Sequence, residues 1–281
     1  MMTMFKRLQS SIKSGHGPTY SQLLISTTRF GVAASLAMLM MLVVLQVSAP
    51  GQTGTGSEST EMDRAISLLN EARLAFHDVR DYECRLVKRE RVKGKLLPES
   101  VMIMKFRSKP MSVCLRCISP EDDKGMEVCY VEGSNQGMMR VQPAGVLSTF
   151  GFWSVDINDA RAYEKNRHCI KDAGLGTLLE STARYWEMER KLNKTLFSIR
   201  EEVMNGRNCT RIETTHPDRN AGRFYGYRCV LWLDKDTHLP AGAETYDWPL
   251  RGGSSDGELL ESYRYLNLRC NLGLGNDVFD H

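Results

Sequence analysis

Apolar positions along the chain follow two periods. In residues 61–79, EMDRAISLLNEARLAFHDV, they recur at helical spacing, with Ile66, Leu69, Leu74 and Phe76 forming a stripe and Thr60 or Asp63 placed to cap the start. Strand patterns follow at 82–92 and 99–107, joined through Lys93-Gly94-Lys95, then at 111–119, 126–133 and 137–143, with Gly and Pro between them. Residues 144–174 read as irregular. A second helix spans Leu175–Leu192, with Leu175, Leu178, Leu179, Ala183, Trp186 and Arg190 on one side. Strands return at 195–204, 207–215, 223–233, 239–248 and 258–270. Asn205-Gly206 is a two-residue hairpin signal. The order predicts an α+β fold built on one long antiparallel meander. Repeated strand–helix–strand crossovers are absent, which argues against a parallel doubly wound sheet.

The segment LWLDKDTHLPAGAETYDWP, residues 231–249, reads as a hairpin. Asp234 and Asp236 are placed to accept turn hydrogen bonds, and Pro240 opens the return strand, where a missing N–H is tolerated. Tyr227, Cys229 and Leu231 alternate with Val230 and Trp232, so both faces of this strand are apolar. A sheet with one wet face alternates more cleanly; here much of both faces must be covered.

The N-terminus departs from this pattern. Residues 31–49, GVAASLAMLMMLVVLQVSA, hold no charge across 19 positions, just enough to cross a bilayer core of ~30 Å as a helix. Lys6, Arg7, Lys13 and Arg29 are the only charges before residue 50, which predicts a cytoplasmic basic segment (1–30) and an exported body. Two readings stay open. One is an uncleaved transmembrane anchor through the inner membrane. The other is a signal peptide core, cleaved near Val47-Ser48-Ala49 despite Pro50, or at a site displaced to Ala49-Pro50-Gly51. Residues 50–60, PGQTGTGSEST, read as a flexible linker, and residues 61–281 as the folded domain. The expected location is the periplasm or cell envelope.

The chain has 281 residues and a net charge of +3; with +4 in the first 50 residues, −1 is left for the rest. A near-neutral body excludes general nucleic-acid binding, which needs a basic face. Eight cysteines in an oxidising compartment invite one or two disulfides, but the spacing is not that of a disulfide scaffold. Cys114 and Cys117 have CxxC spacing, yet on a strand they point to opposite faces, and no second pair exists to complete a metal site. Small buried core residues are the favoured role for the cysteines. Six histidines are scattered without HxxxH or HxH spacing, and ordinary hydrogen-bonded roles are expected of them. Asp156-Ile-Asn158-Asp159 lacks the Gly and Glu of a calcium loop; no GxSxG appears; the 252–257 loop has no strand-to-helix setting for phosphate. No cofactor, metal or catalytic residue is expected.

Several stretches, YECRLVKRERVKGKL, MSVCLRC, GMEVCYVEGSNQG, THPDRNAGRFYGYRCVLWLDKDTHLPAGAETYDWP and LLESYRYLNLRCNLGLGNDVFD, resemble domain-of-unknown-function family 1571, common in planctomycete bacteria. The resemblance covers about residues 62–280. The Asp-x-x-Thr-x-Leu-Pro hairpin is also similar to that of LolA/LolB-type lipoprotein carriers. That wider resemblance implies a curved, half-open antiparallel barrel with an N-terminal helix and a second helix over its concave face. Its expected partner is a lipid, a lipoprotein acyl chain or another apolar ligand. Met102, Met104, Phe106, Leu178 and Trp186 are the candidate lining; flexible methionines, including Met111, Met126, Met138, Met139 and Met188, suit variable chains and also fill cores. The alternative is a structural or protein-interaction domain of the envelope, its core closed by its own side chains. A cavity of roughly 300–1,000 Å³ separates the two.

Overall fold

The computed structural model describes residues 55–219 and 224–279. The proposed anchor at 31–49 lies outside the described residues. Among the described residues, no helix is long and apolar enough to cross a membrane.

Helix α1 (Thr55–His77) leads into the strands β1 (Asp81–Val92), β2 (Lys95–Leu96), β3 (Ser100–Arg107), β4 (Ser112–Ser119), β5 (Glu127–Val131), β6 (Met139–Gln142) and β7 (Trp153–Val155). Helix α2 (Leu175–Leu192) follows, then β8 (Leu196–Met204), β9 (Arg207–Thr215), β10 (Arg228–Asp234), β11 (Pro240–Tyr246) and β12 (Leu259–Cys270). All pair antiparallel in one open sheet, in the order β7-β6-β5-β4-β3-β1-β12-β11-β10-β9-β8, with β2 paired to β1. The chain runs out from β1 to one edge at β7. It then crosses through α2 to the other edge at β8 and returns to pair β12 with β1.

The turns follow their residues. Lys93-Gly94 and Asn205-Gly206 both take positive φ at both positions, 50° and 82°, and 53° and 78°. Those values match a two-residue turn whose twist suits the flanking strands. In the 231–249 hairpin, the Asp234 carboxylate accepts from the backbone N–H groups of Asp236 and Thr237 and from the Thr237 hydroxyl. Arg207 pairs with the same carboxylate and, with the turn bonds, holds its pKa below the usual range against the cost of burial. Asp236 plays no such turn role; it is exposed and near Arg207.

The helices correct the sequence reading in detail. α1 begins at Thr55, inside the stretch that composition reads as linker, so Thr60 and Asp63 lie within the helix and do not cap it. Its buried stripe is Met62, Ala65, Leu69 and Ala72 rather than one including Leu74, which is 72% exposed. Alanines on that stripe bring the helix backbone close to its neighbours. α2 has the expected span, but Glu189, not Arg190, is its buried charged residue. The Gly174 φ of 109° begins the helix, and a Cβ there would lie 2.8 Å from the Phe106 ring. The first helical N–H, of Leu175, donates to the hydroxyl of fully buried Tyr82 on β1 at 3.0 Å. A helix start buried on a sheet needs such a partner.

The cysteines divide. Cys114 and Cys129 face each other across β4 and β5 with Cα atoms 4.1 Å apart and form a disulfide. Phe279, Leu274 and Val278 of the C-terminal segment cover it on the outer face. Cys117 is buried on the other side of β4 as a free thiol, as strand geometry requires.

Replacing Tyr82 with Phe removes the acceptor for the Leu175 N–H and leaves that donor buried. Denaturant unfolding is expected to show a loss of about 1–3 kcal/mol; an unchanged midpoint would mean the helix start is satisfied in another way.

Candidate functional site

One face of the sheet is covered by both helices. Register defines it. Tyr82, Cys84 and Leu86 on β1 stand opposite Phe106, Met104 and Met102 on β3, which stand opposite Val113, Leu115 and Cys117 on β4. On the other half, Ile212 of β9 and Leu231 of β10 lie opposite each other. Two apolar clusters fill this inner face. The first joins Tyr82, Cys84, Leu86, Met104, Phe106, Val113 and Tyr130 to Leu175 of α2. The second joins Ala65, Leu69 and Ala72 of α1 and Leu179 and Trp186 of α2 to Ile212, Leu231 and Leu233. Phe76 touches both.

The five residues expected to line a cavity fall on this face in three settings. Met104 and Phe106 belong to the first cluster, 1% and 6% exposed. Trp186 belongs to the second, with half-buried Leu178 packed against it. Met102 is buried beside them on β3 and belongs to neither.

The helices run antiparallel, as their cross-pairs show. Arg73 of α1 holds Glu180 of α2 with two bonds of 2.8 and 2.9 Å, and Arg190 holds Asp63 at 2.9 Å. All four side chains are at least 39% exposed, so each pair is worth at most about 1 kcal/mol. Between the helices lies an open cleft of about 240 Å³, lined by Arg73, Phe76, His77, Gly176, Leu179 and Glu180. None of the five expected residues lines it. Gly176 shapes this cleft: a Cβ there would come within 2.5 Å of the Phe76 ring.

Beyond the second cluster the inner face turns polar. Glu261 of β12, 6% exposed, accepts from His168 Nε2 at 2.7 Å, the Tyr225 hydroxyl at 3.0 Å and Arg167 Nε at 3.2 Å. Glu90 of β1 stands directly opposite it on the adjacent strand and takes the Tyr263 hydroxyl, Lys88 Nζ at 3.0 Å and the Arg167 N–H at 3.3 Å. Burial alone would push the Glu261 carboxyl up, but the hydrogen bond and charge of His168, with Arg167 and Tyr225, hold it below the usual range. Burial opposes charge on His168, yet the Glu261 hydrogen bond and charge outweigh it and raise the imidazole pKa. Nearby, His216 of the β9 end is fully buried, stacked on Phe224 with ring centres 4.1 Å apart. Its Nε2 lies 3.2 Å from Glu189 of α2, an ion-pair distance without hydrogen-bond alignment. Burial, with Glu189 and Glu261 nearby, pushes the Cys229 thiol up to about 12, so it is not a nucleophile at neutral pH.

His168 and Glu261 carried no local spacing signal in the sequence. They are 93 residues apart and meet only because residues 156–172 fold back over the sheet. The one legible hint was a glutamate on a strand otherwise rich in apolar and aromatic residues.

A family model, described as "Protein of unknown function (DUF1571)", matches residues 79–281. The chain belongs to the DUF1571 family. No curated protein matches it. Among solved structures, the chain is similar to the lipoprotein LppX of Mycobacterium tuberculosis, with 13% identity over 76% of this chain and 98% of that one, TM-score 0.44. It is also similar to a putative outer membrane lipoprotein-sorting protein domain from Vibrio parahaemolyticus, with 14% identity over 78% and 97% of the chains, TM-score 0.36. A LolA superfamily protein from Nitrosomonas europaea matches with 12% identity over 76% and 96%, TM-score 0.33.

The His168–Glu261 pair predicts a pH signature. A raised His168 pKa contributes stability that is full below the unfolded value of about 6.5 and lost as pH rises through the folded value. A lowered Glu261 pKa contributes stability that is full above about 4.3 and lost as pH falls through the folded value. The stability difference between the parent and His168→Asn should therefore be largest between those pH values and shrink on the alkaline side. Paired denaturant titrations across pH check it; a difference independent of pH would mean the ring is not charged in the fold.

Proposed function

We propose that this DUF1571 protein is an exported binding module that takes a lipid or lipoprotein acyl chain between its helix pair and the inner face of its sheet. The reading rests on the helix seam. There an apolar-floored cleft of about 240 Å³, smaller than a ligand pocket of roughly 300–1,000 Å³ while the helices are together, opens between α1 and α2, and the Arg73–Glu180 and Arg190–Asp63 cross-pairs are exposed and weak. Parting the helices widens this cleft toward Leu179 and Phe76 and the two clusters behind them. Met104, Phe106, Leu178 and Trp186 then line the deeper path, and Met102 its margin. The role is binding rather than catalysis. The carboxylates of Glu261 and Glu90 are engaged by Arg167, His168 and Lys88, and the cysteine neighbour of Glu261 is protonated. Export to the envelope follows the basic N-terminus and the apolar run at 31–49, which either anchors the protein in the inner membrane or is cleaved.

A second reading is favoured by the packing itself. Met104, Leu175 and Leu179 are at most 1% exposed, as in a core closed by its own side chains. That reading makes the protein a structural or interaction domain of the envelope.

Native mass spectrometry of the purified chain separates the two, because a carrier retains a co-purified lipid. Ala183 packs against the second cluster from α2. The substitution Ala183→Trp is expected to abolish uptake of a fluorescent fatty acid that the parent binds, with the fold kept by circular dichroism. If the parent binds no apolar probe, and the variant only loses about 1–3 kcal/mol of stability from overpacking, the core is closed and the carrier reading fails.

A further inference from the structure

Ten large apolar side chains are exposed among the described residues, and four of them fall within eight consecutive positions. They are Val146 (84%), Leu147 (50%) and Phe150 (71%), on the turn that joins β6 to the edge strand β7, and Trp153 (46%), the first residue of that strand. The other six are spread singly along the chain, as is ordinary for a soluble surface.

Three carbonyls of this turn are satisfied from within it or from β6. The Ser148 hydroxyl donates to the Gly145 carbonyl at 2.7 Å, and the Thr149 hydroxyl to the Val146 carbonyl at 2.8 Å. The Ser148 carbonyl accepts from the Gly151 N–H at 3.1 Å and from the Gln142 amide at 3.1 Å. Hydroxyl bonds of this kind are ordinary in turns. At a hydrocarbon boundary they also spare these three carbonyls the cost of an unmade bond. Charge agrees. Residues 133–155 contain no acidic residue, and Arg140 is their single charge. The base is fixed: Phe152 packs inward on the Cys114–Cys129 cluster, and Val155 packs on the first inner cluster. The apolar side chains are therefore presented outward on a held turn.

We infer that the 145–153 turn is a membrane-contacting tip that seats in the interface of a lipid bilayer, with Val146, Leu147 and Phe150 below the headgroups and Trp153 at their level. A protruding turn of side chains offers little flat area to a protein partner, whereas a bilayer closes around it. Indole and phenyl rings are favoured at this depth, where one part is apolar and another wet. An acid-free segment carrying one arginine also suits an anionic leaflet. The inference goes beyond chain binding in the helix seam and stands without it.

Tryptophan fluorescence tests it. The full chain has four tryptophans, at 153, 186, 232 and 248. It is mixed with phosphatidylglycerol or phosphatidylcholine vesicles whose acyl chains carry bromine, a contact quencher. The expected result is quenching that falls in Trp153→Phe, leaving at most the share of Trp186 beside a chain held in the seam. It falls by the same amount in the double variant Val146→Ser and Phe150→Ser, which keeps Trp153 but removes the insertion. Quenching in both vesicle types, or in the anionic type alone, supports the tip. An unquenched parent overturns the inference, and so does a Trp153→Phe chain quenched as fully as the parent. Failure to take up a fatty acid would count against the seam and leave the Trp153 signal unchanged.

Discussion

An open antiparallel sheet with apolar side chains on both faces is stable only if both faces are covered. The placement of the covering elements follows from that requirement. The inner face is covered by α1 and α2, and the first cluster alone gathers side chains from β1, β3, β4, β5 and α2. The outer face is covered piecemeal: by the C-terminal segment around Phe279 over β4 and β5, and by Trp232, Val230 and Cys209 packing together on the other half. Since burial stabilises at roughly 25 cal/mol per Å² of apolar area, the covering elements supply most of what holds the sheet. The ion pairs across the helix seam add little to it.

The polar end of the inner face needs a different account. Charges buried without partners would unfold this region, yet Glu90 and Glu261 sit a few per cent exposed on adjacent strands. Each is satisfied several times over, by Lys88 beside Glu90 on β1 and by partners from farther along the chain: Tyr263 from β12, Arg167 and His168 from the returning segment, Tyr225 from before β10. Replacing such a group by apolar residues of the same shape is often neutral or favourable, so the network is not there for stability alone. What it fixes is placement: the segment 156–172 has only two short 3-10 turns of its own, Ala160–Glu164 and Ile170–Asp172, and Glu261 and Glu90 hold its Arg167-His168 corner against the sheet.

Periodicity made the architecture legible. Period-two runs located most strands to within two residues at each end, although β10 begins at 228 rather than 223; Asn205-Gly206 and Lys93-Gly94 marked tight turns, and the second helix ended where its stripe ended. Those signals are local, and the physics that produces them is local. The first helix was read less well. Leu74 looked like part of a stripe, but the face that packs is chosen by the sheet and by α2, and alanines at 65 and 72 outcompete a leucine that would hold the helix off. β7 escaped because three residues on an edge give no period. The site is a tertiary object. Cys114 and Cys129 were visible as cysteines, but their pairing depends on the β4–β5 register. His168 has no neighbour in sequence that hints at Glu261.

The same distinction explains why the seam between the helices is the informative place. A helix pair meant only to close a core gains by interdigitating along its whole length. Here, Ala65, Leu69 and Ala72 pack tightly with Leu179 and Trp186, but at Gly176 the second helix drops its side chain altogether and Phe76 lies in the space. A larger residue at 176 would collide with that ring, so close approach at this point depends on the missing Cβ. The result is a seam that is packed along its middle and opens beside Phe76, with Arg73 and Glu180 bridging the opening from the solvent side. Opening it breaks one exposed ion pair and moves one aromatic ring, whereas opening the middle would uncover Leu69, Leu179 and Trp186 together. Any parting of the two helices that costs little must therefore begin at the Phe76 end.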